Sequence, residues 1–196
     1  MKVCVILFDN FETLDVFGPV EILGRLPEIF SIDYYSLDGD IKTSTQGVNI
    51  STQKLSARDN YFDILLIPGG KGTRKEIDNN ELITVIKALS VQSKYTLTVC
   101  TGSALLAQTG LIDGKTVTSN KRASDWVKST RQQVEWQGKA RWTVNGKFYT
   151  SSGISAGMDM TLGFVSDILG REFAEKIAAE MEYEWNSDPD NDKFAK

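Results

Sequence analysis

The chain contains no histidine among its 196 residues. That absence excludes every mechanism that needs an imidazole from the same chain: Ser-His-Asp and Cys-His relays, histidine general bases and histidine-ligated zinc. Its two cysteines, Cys4 and Cys100, cannot build a disulfide framework and leave too few soft ligands for structural zinc, so both read as reduced thiols and no metal is expected. No apolar run approaches the roughly 20 residues that span a bilayer, and the opening MKVCVILFDN meets an acid too early for a secretory leader. A soluble, cytoplasmic protein without a membrane partner is the expectation. Basic residues number 22 against 26 acidic ones, a formal charge of −4, and they are scattered without forming a block. Nucleic acid is not an expected partner. Chemistry would fall on a thiol, carboxylates, hydroxyls and backbone amides.

What is present, 41% apolar side chains, suffices for one well-covered core. A single domain over 1–187 is expected, with no room after Gly170 for a second domain or a DNA-reading appendage. The acidic tail 188–196 lacks apolar spacing and is expected to fray.

Apolar runs rich in β-branched residues recur at Val3 to Phe8, Phe30 to Leu37, Ile64 to Ile67 and Leu97 to Val99, with helical periodicity between them. Alternating strands and helices with nearly continuous apolar strands predict an α/β fold, a mostly parallel, doubly wound sheet covered on both faces by helices. Leu82, Ile86 and Leu89 form one helical stripe, Met158, Leu162, Val165 and Leu169 a second, and Phe173, Ile177 and Met181 a third. Gly110 is placed as the left-handed residue closing a short helix from Ser103 to Thr109. Asn145-Gly146 predicts a two-residue type I′ hairpin added antiparallel to the core. A second extended pair, Ile41 to Ser44 and Val48 to Ser51, flanks Gly47.

Four segments could carry chemistry. In Tyr95-Thr-Leu-Thr-Val-Cys100-Thr-Gly-Ser a buried strand runs into a small-residue turn and then a helix. A cysteine there sits on a nucleophile elbow at the carboxyl edge of the sheet, where following amides and the helix dipole favour thiolate. Cys4, inside the first strand, reads as a structural thiol. Pro68-Gly69-Gly70 ends another strand in a turn whose backbone can approach a ligand and offer an N–H to developing negative charge. No Walker Lys-Ser/Thr follows it, so it is not a phosphate loop. Glu12, Asp15 and Glu21 follow the first strand. Pro19 cannot donate to the carbonyl of residue 15, so a helix here is expected to open beside Asp15 and place its carboxyl near the crevice, or else these are solvated helix-start acids. Finally, Ser155 precedes an amphipathic helix, and capping is a better reading for it than catalysis. Phe11, Phe17, Trp126 and Tyr149 could line a pocket or belong to the core.

With LDVFGPVEIL, IPGG, TVCTGSALLAQTGLIDGKTVTSN and TSSGISAGMDM in this order, the chain resembles the ThiJ/PfpI superfamily over about Lys2 to Arg171, and most of all its isonitrile hydratase subgroup and the amidase-like domains of certain transcriptional regulators. The resemblance implies a three-layer flavodoxin-like sandwich with nucleophile Cys100 and Asp15 as its acid. It also implies main-chain donors at Gly70 and Thr101 with Gly69 in the same turn, no cofactor, a small-molecule substrate and a homodimer. Many relatives carry a histidine after the TVTS strand, where this chain has Asn120; protease and Cys-His amidase activities are therefore disfavoured. The expected activity is hydration of an isonitrile to a formamide by thiol and acid. The alternatives are a redox-responsive protein whose Cys100 is oxidised and a ligand-binding regulatory module.

Overall fold

Val3, Val5 and Ile6 of the first strand, β1 (Lys2–Ile6), are fully buried although they alternate between the two faces, as in a strand covered on both sides. In the computed structural model, which describes residues 1–55 and 61–195, β1 is followed by α1 (Thr13–Gly24), β2 (Ser31–Ser36), β3 (Lys42–Thr43), β4 (Asn49–Ile50), β5 (Gln53–Lys54), β6 (Ile64–Ile67), α2 (Thr73–Glu76) and α3 (Asn80–Gln92). Then come β7 (Tyr95–Thr98), α4 (Gly102–Gln108), β8 (Thr116–Val117), α5 (Ser124–Thr130), β9 (Glu135–Trp136), β10 (Trp142–Asn145), β11 (Phe148–Ser151), α6 (Ala156–Leu169) and α7 (Arg171–Glu180).

Seven strands form one sheet in the order β10-β11-β7-β6-β1-β2-β5. Every pairing is parallel except β10 with β11. Helix α6 packs on α1 and α7, while α4 packs on α2, α3 and α5. With the central strands buried, these two groups form the outer layers of the doubly wound α/β fold predicted from the pattern, the flavodoxin-like sandwich that the resemblance implies. The pair flanking Gly47 forms as β3 and β4. Among the described residues no helix is long and apolar enough to cross a membrane.

Helix α3 buries Leu82, Ile86 and Leu89, the stripe read from the sequence. Gly110 takes φ +75° just past α4, as its position requires. Pro19 lies inside α1 without ending it.

Three local expectations are corrected. In the hairpin, Asn145 pairs with Phe148, so the turn residues are Gly146 and Lys147 rather than Asn145 and Gly146. Gly146 has φ +63° and Lys147 has no positive φ, which fits type II′ with glycine first instead of type I′. On α7 the buried stripe runs through Ala174, Ile177 and Ala178, and Phe173 is exposed.

The third correction concerns the tail. Arg141 N–H donates to the Pro189 carbonyl at 2.7 Å and Asp192 N–H to Lys139 O at 2.9 Å, and the Asp192 side chain is completely buried. Residues 188–195 are docked, not frayed, because a buried arginine draws in the aspartate that apolar spacing could not predict; Lys196 lies outside the described residues.

Candidate active site

Parallel strands put their carboxyl ends on one edge, so the segments after β1, β6, β7 and β11 meet there. Glu12 N–H donates to Gly69 O at 2.9 Å and Cys100 N–H to Ser152 O at 3.3 Å, tying the four segments together in pairs.

Cys100 holds φ +57°, a left-handed conformation that costs a side-chain-bearing residue roughly 1–2 kcal/mol. The surroundings enforce it: Ser103 Oγ and Ser119 Oγ donate to the Cys100 carbonyl at 3.0 and 2.8 Å. This is the elbow expected from the strand–turn–helix pattern, and it leaves the residue 5% exposed.

Asp15, in the first turn of α1, is fully buried, so the solvated alternative for this acid does not hold. Its Oδ2 accepts the Gly69 N–H at 2.9 Å. Burial pushes the carboxyl well above the usual carboxylate range; the Gly69 N–H opposes that shift, the Glu12 charge adds to it, and the nearby Cys100 thiol opposes it. Asp15 Oδ1 has no hydrogen-bond partner, and the carboxyl lies close enough to the elbow for its charge to raise the Cys100 thiol.

The expected low-pKa thiol is corrected. Burial pushes the Cys100 thiol up, and the Asp15 charge pushes it further; the Thr101 N–H, the Asn120 amide and the Thr101 hydroxyl only partly offset this. Desolvation of an anion in a site this closed outweighs a few oriented dipoles, and α4 contributes only seven residues to its dipole. Burial at the elbow thus favours thiol over thiolate.

The main-chain donors also divide differently from expectation. Thr101 N–H serves the sulfur, but the Gly70 N–H donates to Thr101 Oγ1 at 3.1 Å and Gly69 N–H is held by Asp15. Thr73 Oγ1 donates to the Gly70 carbonyl at 2.7 Å and lies 3.0 Å from Thr101 Oγ1. Gly70, at φ +122°, thus organises a hydroxyl knot beneath the elbow instead of facing the reacting atom.

Asn120 takes a part that sequence reasoning missed. The sequence marks it only as standing where the resemblance implies a histidine, yet its Nδ2 donates to Cys100 Sγ at 3.2 Å. Its Oδ1 accepts the Ala123 N–H at 3.0 Å, which settles the amide orientation toward the sulfur. The signal available was its place after the TVTS strand. Gly153 borders both groups: a Cβ there would lie 2.1 Å from Asn120 Nδ2 and 2.9 Å from Cys100 Sγ.

A cavity of about 650 Å³ opens over this corner, lined by Glu12, Leu14, Asn120, Ser152, Gly153, Ile154, Ser155 and Phe194 among others. Ser155 occupies the N-cap position of α6 without a side-chain cap hydrogen bond; its Oγ accepts from Arg141 Nη2 at 3.2 Å. Arg141 Nε in turn meets Asp159 Oδ2 at 2.6 Å, part of a buried ionic network the sequence did not reveal. Phe11 and Tyr149 belong to the core, Phe17 is exposed, and Trp126 lies under the Arg74 guanidinium at 4.4 Å. None of the four aromatics lines the cavity. Among the described residues no group of three acids or thiols could hold a metal ion.

Comparison with known proteins identifies the family. An isonitrile hydratase of Pseudomonas putida is 26% identical over 183 residues, covering 93% of this chain and 78% of that protein. The HTH-type transcriptional regulator GbdR of Pseudomonas aeruginosa is 27% identical over 184 residues, covering 91% of this chain, which spans only 50% of that regulator. A ThiJ/PfpI family protein of Pseudomonas syringae superposes with a TM-score of 0.84 at 24% identity, covering 93% of this chain and 75% of its own. The sequence model of the DJ-1/PfpI family matches residues 1–167, and the chain belongs to that family.

Proposed function

We propose that this protein hydrates an isonitrile, R–NC, to the N-substituted formamide, R–NH–CHO, with Cys100 as nucleophile and Asp15 as its proton carrier. The observation that carries the reading is a fully buried carboxyl with one unpartnered oxygen, close enough to a buried thiol on a strained elbow for its charge to raise that thiol, in a chain that has no histidine. Isonitrile hydration needs one nucleophile and one acid at the same carbon, and no imidazole, metal or organic cofactor. The similarity to a Pseudomonas putida isonitrile hydratase supports the same choice.

The active form holds one proton between sulfur and carboxyl. As sulfur bonds to the terminal carbon, that carbon gains carbanion character and takes the shared proton, giving a thioimidate, R–N=CH–S–Cys100, and ionised Asp15. Water then adds to the same carbon. Asp15 accepts a proton from it and passes one to nitrogen, and the tetrahedral adduct collapses with cleavage of the C–S bond, returning the proton to the thiol–carboxyl pair. The sum is R–NC plus H2O. Asn120 and the Thr101 N–H steady negative charge on sulfur as it arrives and departs.

A small-molecule substrate, a homodimer and a cytoplasmic location belong to the same reading. Its test is formamide production from a panel of isonitriles, trapped as a Cys100 thioimidate adduct by rapid quench and mass spectrometry. Formamide formed without any dependence on Cys100 would overturn it.

A second reading, a ligand-binding module that turns nothing over, is favoured by the likeness to a transcriptional regulator. It predicts saturable isonitrile or formamide binding, visible by calorimetry, with no product after prolonged incubation.

A further inference from the structure

We infer that Phe194, anchored by Asp192, is a specificity-determining wall of the Cys100 site that sets the girth of what reaches the sulfur. The inference rests on the candidate site but not on the isonitrile as its substrate.

Phe194 lines the cavity with Leu14 and Ile154. It is 68% exposed, so its own burial does little to hold the ring in place. What fixes it is Asp192, whose side chain is fully enclosed. Asp192 Oδ1 accepts the Phe194 N–H at 3.0 Å and a hydrogen bond from Arg141 Nη1 at 3.4 Å, while Oδ2 lies 4.0 Å from Lys121 Nζ. Backbone bonds close the turn, from Asp192 N–H to Lys139 O and from Ala195 N–H to Asp192 O, each 2.9 Å.

This second buried carboxylate is not needed to neutralise Arg141, which already has Asp159 at 2.6 Å. Burying an extra charge is costly; here it docks the tail and holds the backbone N–H of Phe194, whose ring lines the cavity. Lys121, the other cation facing Asp192, directly follows Asn120, the residue that donates to the sulfur. Asn120, which touches the sulfur, and Lys121, which faces the anchor, line the same cavity as Phe194, and a ring there obstructs wide reagents while slender ones pass.

The test uses two reagents of one electrophile, N-ethylmaleimide and N-(1-pyrenyl)maleimide, on the full chain at one fixed alkaline pH. Peptide mass spectrometry reads Cys100 separately from buried Cys4. Because thiol ionisation affects both reagents alike, the ratio of their rates reports access alone. F194A is expected to raise the pyrenyl rate relative to the ethyl rate about tenfold. D192A should do the same, with no further gain in the double variant. K193A, altering an exposed neighbour, should leave the ratio unchanged.

An unaltered ratio in F194A overturns the wall. A shift in F194A without one in a folded D192A overturns the anchor, and an equal shift in K193A overturns both as unspecific. Loss of isonitrile turnover in the wild type would remove the proposed activity and leave these rates untouched.

Discussion

The Asn120 amide nitrogen stands 3.2 Å from Cys100 Sγ with its carboxamide oxygen already committed to the Ala123 N–H. The position after the TVTS strand, where the family resemblance implies a histidine, thus holds a neutral donor that cannot take or give a proton. It can stabilise sulfur anion but leaves all proton traffic to Asp15. Replacing Asn120 by Ala should lower kcat/KM about 10- to 100-fold, and by Asp further still, because a second carboxylate pushes the thiol up again. Steady-state kinetics with the preferred isonitrile would check the order.

Cys100→Ser should reduce turnover by at least about a thousandfold with the fold intact, since a serine hydroxyl beside a carboxyl is far less nucleophilic. Formamide release and far-UV circular dichroism measured together would show whether chemistry alone is lost.

Asp15→Asn separates activity from stability. A carboxyl whose folded pKa is raised stabilises the fold below its unfolded pKa and loses that contribution as pH rises through the folded value. Asp15 is such a group, so at neutral pH its ionisation opposes folding. The amide variant should melt about 2–5 °C higher than wild type at neutral pH, show no such gain in acid below the usual aspartate pKa, and lose nearly all turnover. Melting curves across pH test the sign.

The same pair sets the pH–rate profile. Turnover should rise as pH climbs through the first ionisation of the thiol–carboxyl pair, at a value above the ordinary carboxylate range, because burial lifts both groups. The alkaline limb should lie above the usual thiol range. A profile already flat from mild acid upward would contradict the coupling.

Gly153→Ala would push a methyl into Asn120 Nδ2 and against Cys100 Sγ, 2.1 and 2.9 Å from the added carbon. Activity and Cys100 alkylation should both fall at least about tenfold while the melting temperature changes by only a few degrees. Parallel loss of stability and activity would instead mark the position as purely structural.

The sequence by itself determined the layered α/β fold, through β-branched apolar runs such as Ile64 to Ile67 spaced by helical stripes such as Leu82, Ile86 and Leu89. It also determined which segments meet, since parallel strands must present their carboxyl ends on one edge. Cys100 and Asp15 are candidates on that basis, because strand, small-residue turn and proline are local signals, but only the family resemblance pairs them. Only the tertiary structure decided the electrostatics and the closure of the site. The sulfur's proton affinity depends on how deeply the elbow is covered, the orientation of Asn120 on a backbone N–H three residues away, and the engagement of Gly70 on Thr101. The docking of Asp192 waits on a buried arginine 51 positions earlier. Apolar periodicity carries information about which face a residue buries, but desolvation and long-range ion pairing exist only once distant segments exclude water together.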